Sequence, residues 1–252
     1  MNNIIIEYDG PISDNNIRAQ SIISKIFDKI EKEYCLNREF IINNFNKTKK
    51  IIIKNDAEFP YLINNEISCY CEDELVLNRV SLNKSFYNNG YTYFRKFEER
   101  NPDYFLDFYK ESELVFSKGI EEFFKNNKYE NINIVSNLPE SIIKKELENY
   151  RLHVNIFGNA QKNFIKFNSR FNKSQLSIGK RMINLNRPFY EKFLSNFNPK
   201  DSIAVSDNFS RDLTLPLTLG FDVALIKNDY NVWAQKYMNL IGKRVIENLS
   251  EL

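Results

Sequence analysis

The sequence predicts an α/β fold: a parallel sheet covered by helices and interrupted, after its first strand, by a long and mostly α-helical insertion. Three observations lead there. A β-branched run, Asn3-Ile4-Ile5-Ile6, breaks off at Gly10-Pro11, so the chain opens on a short buried strand and a turn. The stretch 12–112 is then irregular and rich in aromatics. From 113 onward, short apolar runs alternate with amphipathic segments, the order that parallel strands and crossover helices impose.

Each element follows from its residues. After the acidic turn Glu7-Tyr8-Asp9-Gly10-Pro11, Ser13 or Asp14 caps a helix whose Ile17, Ile22, Ile23, Ile26, Phe27 and Ile30 share one face. From there to about Glu111 the spacing predicts helices, with at most short strands near Ile51–Ile53 and Leu75–Leu77; Phe86, Tyr87, Tyr91, Tyr93, Phe94, Phe97, Tyr104, Phe105, Phe108 and Tyr109 crowd this part. Gly119–Asn126 is a helix and Asn131–Val135 a strand that ends at Ser136-Asn137. Pro139 opens a helix with Ile142, Ile143 and Leu147, and His153–Phe157 is the next strand. A helix carrying Phe189, Phe193, Leu194 and Phe197 follows Arg187-Pro188, and the buried strand Ser202–Val205 runs into Ser206-Asp207. Leu213–Leu219 is a helix stopped by Gly220, Phe221–Ile226 a strand, and a final helix uses Trp233, Tyr237, Leu240, Ile241, Val245 and Leu249 as its stripe.

Composition narrows the function. A chain of 252 residues fits one large domain, or a core with a smaller inserted one. Lys+Arg 35 against Asp+Glu 33 leaves a net charge of +2, too weak a field to announce nucleic acid or an anionic membrane. The one histidine, His153, excludes a multi-histidine metal site and leaves catalysis to carboxylates. Its place at a strand start reads as structural. The three cysteines, Cys35, Cys69 and Cys71, lack the ligand count of a zinc site and read as thiols; with a polar N-terminus and no run of the ~20 apolar residues a membrane span needs, this points to a reduced, cytoplasmic protein. The enrichment in Asn, Ile and Lys is spread along the chain and carries no functional weight.

In open parallel sheets the ligand lies beyond the carboxyl ends of the strands, which raises Glu7, Asp9, Ser136 and Asp207 above other polar residues. Four segments stand in order: Ile4-Ile5-Ile6-Glu7-Tyr8-Asp9-Gly10-Pro11, then Ile132-Asn133-Ile134-Val135-Ser136-Asn137, then Arg187-Pro188-Phe189-Tyr190, then Ile203-Ala204-Val205-Ser206-Asp207 with Asp212 five residues on and Gly220 closing the helix. Together they resemble the haloacid dehalogenase superfamily, whose commonest members are magnesium-dependent phosphatases with a Rossmann-like core and an inserted cap. The resemblance covers roughly residues 3 to 11 and 113 to 252, and implies a core of 1–11 and 113–252 with a mostly helical cap over 12–112.

The resemblance also implies roles. Glu7 stands where the superfamily has an aspartate nucleophile that attacks phosphorus, and Asp9 is the acid/base two residues on. Glu7, Asp9, Asp207 and Asp212 would hold Mg²⁺, the hard cation that oxygen ligands suit. Ser136, Asn137 and a cation at the third segment would hold phosphate; that cation is Arg187 where the superfamily has Lys, with Lys180 and Lys192 as alternatives. The reaction implied is Mg²⁺-dependent hydrolysis of a small phosphorylated metabolite. Glu7, one methylene longer than Asp, supports a second reading as a catalytically impaired binding or regulatory protein, and a third is a metal-independent dehalogenase. The basic segment 161–181, with Lys162, Lys166, Arg170 and Lys173 interleaved with Phe164, Phe167 and Phe171, is the one hint of a nucleic-acid partner. It reads first as an amphipathic helix with a solvated basic face.

Overall fold

The run Ile4-Ile5-Ile6 lies within strand β1 (Asn3–Glu7), which is buried on both faces because it is an inner strand. β1 pairs in parallel with β4 (Asn131–Val135) on one side and with β8 (Ser202–Ser206) on the other. Beyond β4 lies β5 (Asn155–Phe157); beyond β8 lie β9 (Asp222–Ile226) and β10 (Arg244–Ile246). All pairings in this six-stranded sheet, ordered β10-β9-β8-β1-β4-β5, are parallel. The chain builds outward from β1 through β4 to β5 and then returns to place β8 against β1. The strand order therefore reverses between β1 and β8, and a crevice at their carboxyl ends is the place where such sheets take ligands. The computed structural model describes residues 2–63, 66–85, 97–98, 100–101, 104–148, 154–165 and 175–252.

The period-two alternation of β1 divides the core. Ile4 and Ile6 join a cluster with Ile22, Ile26 and Ile30 of α1 (Asn15–Tyr34), Phe123 of α5 (Ile120–Asn126) and Ile143 of α6 (Glu140–Leu147). Ile5 faces the other layer, with Tyr190 and Leu194 of α7 (Pro188–Leu194), Leu215 of α8 (Thr214–Thr218) and Met238 of α9 (Val232–Leu240). Of the two possible caps of α1, Asp14 is used: its carboxylate accepts the amides of Asn16 and Ile17 at 2.8 and 3.2 Å.

Several segments differ from expectation. Ile51–Ile53 is the last turn of α2 (Arg38–Lys54), not a strand: Ile52 is fully buried while Ile51 and Ile53 face solvent, the exposure pattern of a helix surface. Leu75–Leu77 begins α3 (Glu74–Ser85), whose Val76 amide is accepted by Asp73 at 2.8 Å. The final helix stops at Leu240; Gly242 takes a left-handed φ of 68°, and Val245 lies in β10. Two antiparallel hairpins were not anticipated: β2 (Tyr61–Ile63) with β3 (Glu66–Cys69), and β6 (Gln175–Ile178) with β7 (Arg181–Asn184). The helix α4 (Tyr104–Lys110) follows the region in which Phe86, Tyr87, Tyr91, Tyr93 and Phe94 lie outside the described residues. So do His153, Lys166, Phe167, Arg170, Phe171 and Lys173, and the rest of the basic segment is turn and hairpin instead of helix. Cys35 is an exposed free thiol, Cys69 and Cys71 buried ones. Among the described residues no helix is long and apolar enough to cross a membrane.

Candidate active site

Four groups meet at the carboxyl ends of β1 and β8. Glu7 closes β1, is 3% exposed, and forms an ion pair with Lys162 Nζ. Lys162, fully buried, also lies 2.8 Å from Asp212 Oδ1. It comes from the turn after β5, where its amide donates to Asn137 Oδ1 at 2.7 Å, so the loops after β4 and β5 are tied together beneath it. Burial pulls the Lys162 ammonium down to about 8, and the neighbouring Asp212 opposes that fall. An ammonium with two carboxylate partners keeps one N–H for a third acceptor.

Asp212 is saturated. Besides Lys162, its oxygens accept from Ser206 Oγ at 2.8 Å and from Arg211 Nε and Nη2 at 3.0–3.2 Å. Despite its burial, the Arg211 and Lys162 charges hold its carboxyl well below the usual range. Asp212, expected as a metal ligand, thus spends its oxygens on Lys162, Arg211 and Ser206. It lies within the π-helical turn Phe209–Leu213.

Arg187 does not fill the phosphate role either. It is only 1% exposed and its guanidinium donates to main-chain carbonyls of Asn184, Lys162, Ser68 and Ser210, which leaves it a staple of the scaffold. Lys180, at the β6–β7 turn, and Lys192, on α7, are exposed. The cation that reaches the strand ends is Lys162, buried and not on the solvated helix face expected of the basic segment. Ser136 is fully buried and its Oγ accepts the Leu138 amide at 3.1 Å; Asn137 lines the cleft.

Asp9 is partly buried beside the cleft, and Tyr109 donates to its Oδ1 at 2.6 Å. Burial raises its carboxyl to about 6, with the Tyr109 hydrogen bond and the Arg18 and Arg211 charges pulling the other way, a range suited to moving protons near neutrality. Tyr109 is itself stacked under Arg18, 4.1 Å from guanidinium to ring centroid, and Arg18 pairs with Glu146 at 2.8 Å.

Asp207 is the group whose charge is least answered. Its Oδ2 accepts from Asn15 at 3.2 Å, but its buried Oδ1 has no hydrogen-bond partner. Burial pushes its carboxyl well above the usual range, and the nearby Asp73 and Asp212 push it further. Gly10 packs directly on it: a Cβ there would fall 2.3 Å from Asp207 Cγ. Among the described residues no three acidic, histidine or cysteine side chains converge on one point. Mg²⁺ asks for less, commonly one or two carboxylates plus water and substrate phosphate, and the orphaned Asp207 oxygen near the carboxylates of Asp73 and Asp212 fits it.

No motif or spacing marks Glu72, Asp73 and Arg211 as site residues. Asp73 Oδ2 accepts from Asn208 Nδ2 at 2.8 Å and lies 3.4 Å from Arg211 Nη1. Glu72, fully buried, accepts the amides of Phe209 and Ser210 at 2.6 and 3.1 Å. The Tyr70 amide donates to Ser210 Oγ at 2.9 Å. Burial lifts the Glu72 carboxyl to about 8, against these amide hydrogen bonds. An acid whose folded pKa lies above its unfolded one costs stability as pH rises from the unfolded value near 4.3 through the folded one. The Glu72→Gln variant is thus expected to flatten the fall in melting temperature between pH 5 and 8, measured by thermal denaturation; an unchanged pH slope would mean that Glu72 stays ionised throughout.

Beside these groups lies a cleft of about 340 Å³, lined by Glu7, Asp9 and Asn137 from the strand ends, by Asn15, Asp73 and Arg211, and by residues of α3 and α4. Solved structures share this architecture. YfnB of Bacillus subtilis, named as a HAD-hydrolase and solved with magnesium, superimposes with a TM-score of 0.53 at 12% identity, over 99% of this chain and 96% of that one. A Thermotoga maritima protein assigned as a beta-phosphoglucomutase gives 0.53 at 12% identity over 100% and 96%, and a haloacid dehalogenase-like hydrolase from Bacteroides fragilis 0.50 at 12% over 99% and 98%. No family model and no curated protein matches the sequence. The chain thus has an α/β Rossmann-like fold with an acidic site at the strand-order reversal. That fold is the haloacid dehalogenase-like one.

Proposed function

We propose that this protein is a Mg²⁺-dependent phosphatase acting on a small phosphorylated metabolite, with residues 12–112 as a cap over the cleft. The observation that carries the reading is the buried pairing of Glu7, which lines the cleft, with Lys162, while the under-neutralised Asp207 closes the loop after the neighbouring strand β8. Phosphoryl transfer needs little more from a protein than positioning and charge stabilisation, and these groups supply both. Glu7 attacks phosphorus through a carboxylate oxygen once substrate draws Lys162 partly away. The remaining Lys162 N–H, with Ser136 and Asn137, holds phosphoryl oxygens. Asp9 gives its proton to the leaving alkoxide and then takes one from the water that hydrolyses the acyl-phosphate. Asp207 and Glu7 would hold Mg²⁺, which when bound offsets the repulsion between carboxylates and phosphate.

The ion pair between Glu7 and Lys162 favours one other reading, a descendant of such enzymes that binds phosphate but does not turn it over. Hydrolysis of an aryl phosphate, with and without Mg²⁺, separates the two. The parent is expected to turn over only with Mg²⁺, and Asp207→Ala to lose at least ~10²-fold. An inert parent with an active Glu7→Asp variant would identify a disabled phosphatase. Inertness in all three proteins, with no Mg²⁺ binding by calorimetry, would remove the assignment.

A further inference from the structure

The cleft holds two arginines among its described lining residues, Arg211 and Arg79, and they differ in what remains of their hydrogen-bonding capacity. Arg211 is committed to Asp212 and Asp73. Arg79, on α3, spends one Nη2 contact on Glu98 at 3.1 Å, and Glu98 is itself held by the Tyr104 hydroxyl at 3.0 Å. The Arg79 guanidinium lies 5.2 Å from the centroid of the Tyr61 ring, its side chain is 40% exposed, and its buried Nε–H has no hydrogen-bond partner. A guanidinium carries five N–H donors in a fixed fork, and a buried donor without an acceptor is rare in folded proteins. Glu98 and Tyr61 thus orient a cation that keeps donors in hand. The cleft wall from α3 and α4 adds the apolar Leu75, Val76, Phe105 and Leu106.

The geometry points to Arg79 as a specificity-determining residue, which grips a carboxylate carried by the substrate in addition to its phosphoryl group. The preferred substrate is then a phosphate monoester of a short-chain hydroxy acid. A planar fork matches a carboxylate in two parallel hydrogen bonds. About 340 Å³ lies at the small end of ligand pockets, short of a nucleotide with its base and sugar. This inference rests on the phosphatase reading for the position of the phosphoryl group.

Binding of non-hydrolysable analogues tests it without depending on turnover. Calorimetry in Mg²⁺ compares 3-phosphonopropanoate with n-propylphosphonate, which differ in the terminal carboxylate. The parent is expected to bind the carboxylate analogue at least ~10-fold more tightly, Arg79→Gln to lose that preference, and Arg79→Lys to keep part of it as a point charge. Since Arg79→Gln leaves Glu98 without its partner, the Arg79→Gln/Glu98→Gln double variant is measured beside it and must lose the preference too. Equal binding of both analogues by the parent, or a preference that survives in the folded double variant, overturns the role of Arg79 and leaves the phosphatase reading standing. Failure of the parent to bind either phosphonate overturns both.

Discussion

Replacing Lys162 by methionine is expected to lower phosphatase turnover by at least ~10³-fold and to cost about 3–5 kcal/mol of stability. Lys162 is fully buried between Glu7 and Asp212, and a side chain of similar length without charge leaves both carboxylates facing each other in a dry pocket. Removing one member of a buried ion pair is damaging mainly because the other is stranded. The double variant Lys162→Met/Glu7→Gln is therefore expected to regain much of the lost stability, but none of the activity, as it removes the stranded charge and the nucleophile together. Urea denaturation and steady-state kinetics on an aryl phosphate read the two effects separately. A single variant as stable as the parent would mean that Glu7 and Asp212 find other partners, and one that still turns over would take Lys162 out of the chemistry.

Gly10→Ala is expected to be nearly as harmful, for reasons of space and backbone. Gly10 has φ near +96°, where an L-residue is strained by about 1–3 kcal/mol. Its new methyl would sit 2.3 Å from Asp207 Cγ and the same distance from Oδ2, so the carboxylate must move. That carboxylate has little room to move, since Asn15 holds Oδ2 and Asn231 holds the Asp207 carbonyl at 2.7 Å. We expect a melting temperature lowered by about 5–15 °C and Mg²⁺ affinity reduced by at least ~10-fold. Unchanged melting and unchanged Mg²⁺ binding would show that the first turn is looser than its geometry implies.

The sheet was legible because its strands are buried on both faces and so read as unbroken apolar runs bounded by turns; Ile4–Ile6 and Ile203–Val205 are of this kind. Residues that follow such strands inherit their position, which is why Glu7, Asp9 and Asp207 could be named in advance. Lys162 could not, because the cation was sought at Arg187-Pro188, and the hairpin β6–β7 stands between Lys162 and that segment in the chain. A faint signal remained, a lysine a few residues past the strand that ends at Phe157. Glu72 and Asp73 had none, since only tertiary packing brings them to Phe209, Ser210 and Arg211. Ile51–Ile53 misled for the opposite reason: β-branched residues favour strands on average, but the buried Ile52 needed only one inward position per turn.

The tie between residues 68–73 and the loop after β8 has a kinetic meaning. The Ser68 carbonyl is bound by Arg187, the Tyr70 amide by Ser210, Glu72 binds two amides, and Asp73 binds Asn208 and Arg211. These contacts sit on one short stretch and are mostly dry, so breaking any one alone gains little freedom and they must give way together. On the phosphatase reading, residues 68–73 are then expected to stay joined to the core while ligand enters and leaves, which slow hydrogen exchange at the Tyr70 amide would report.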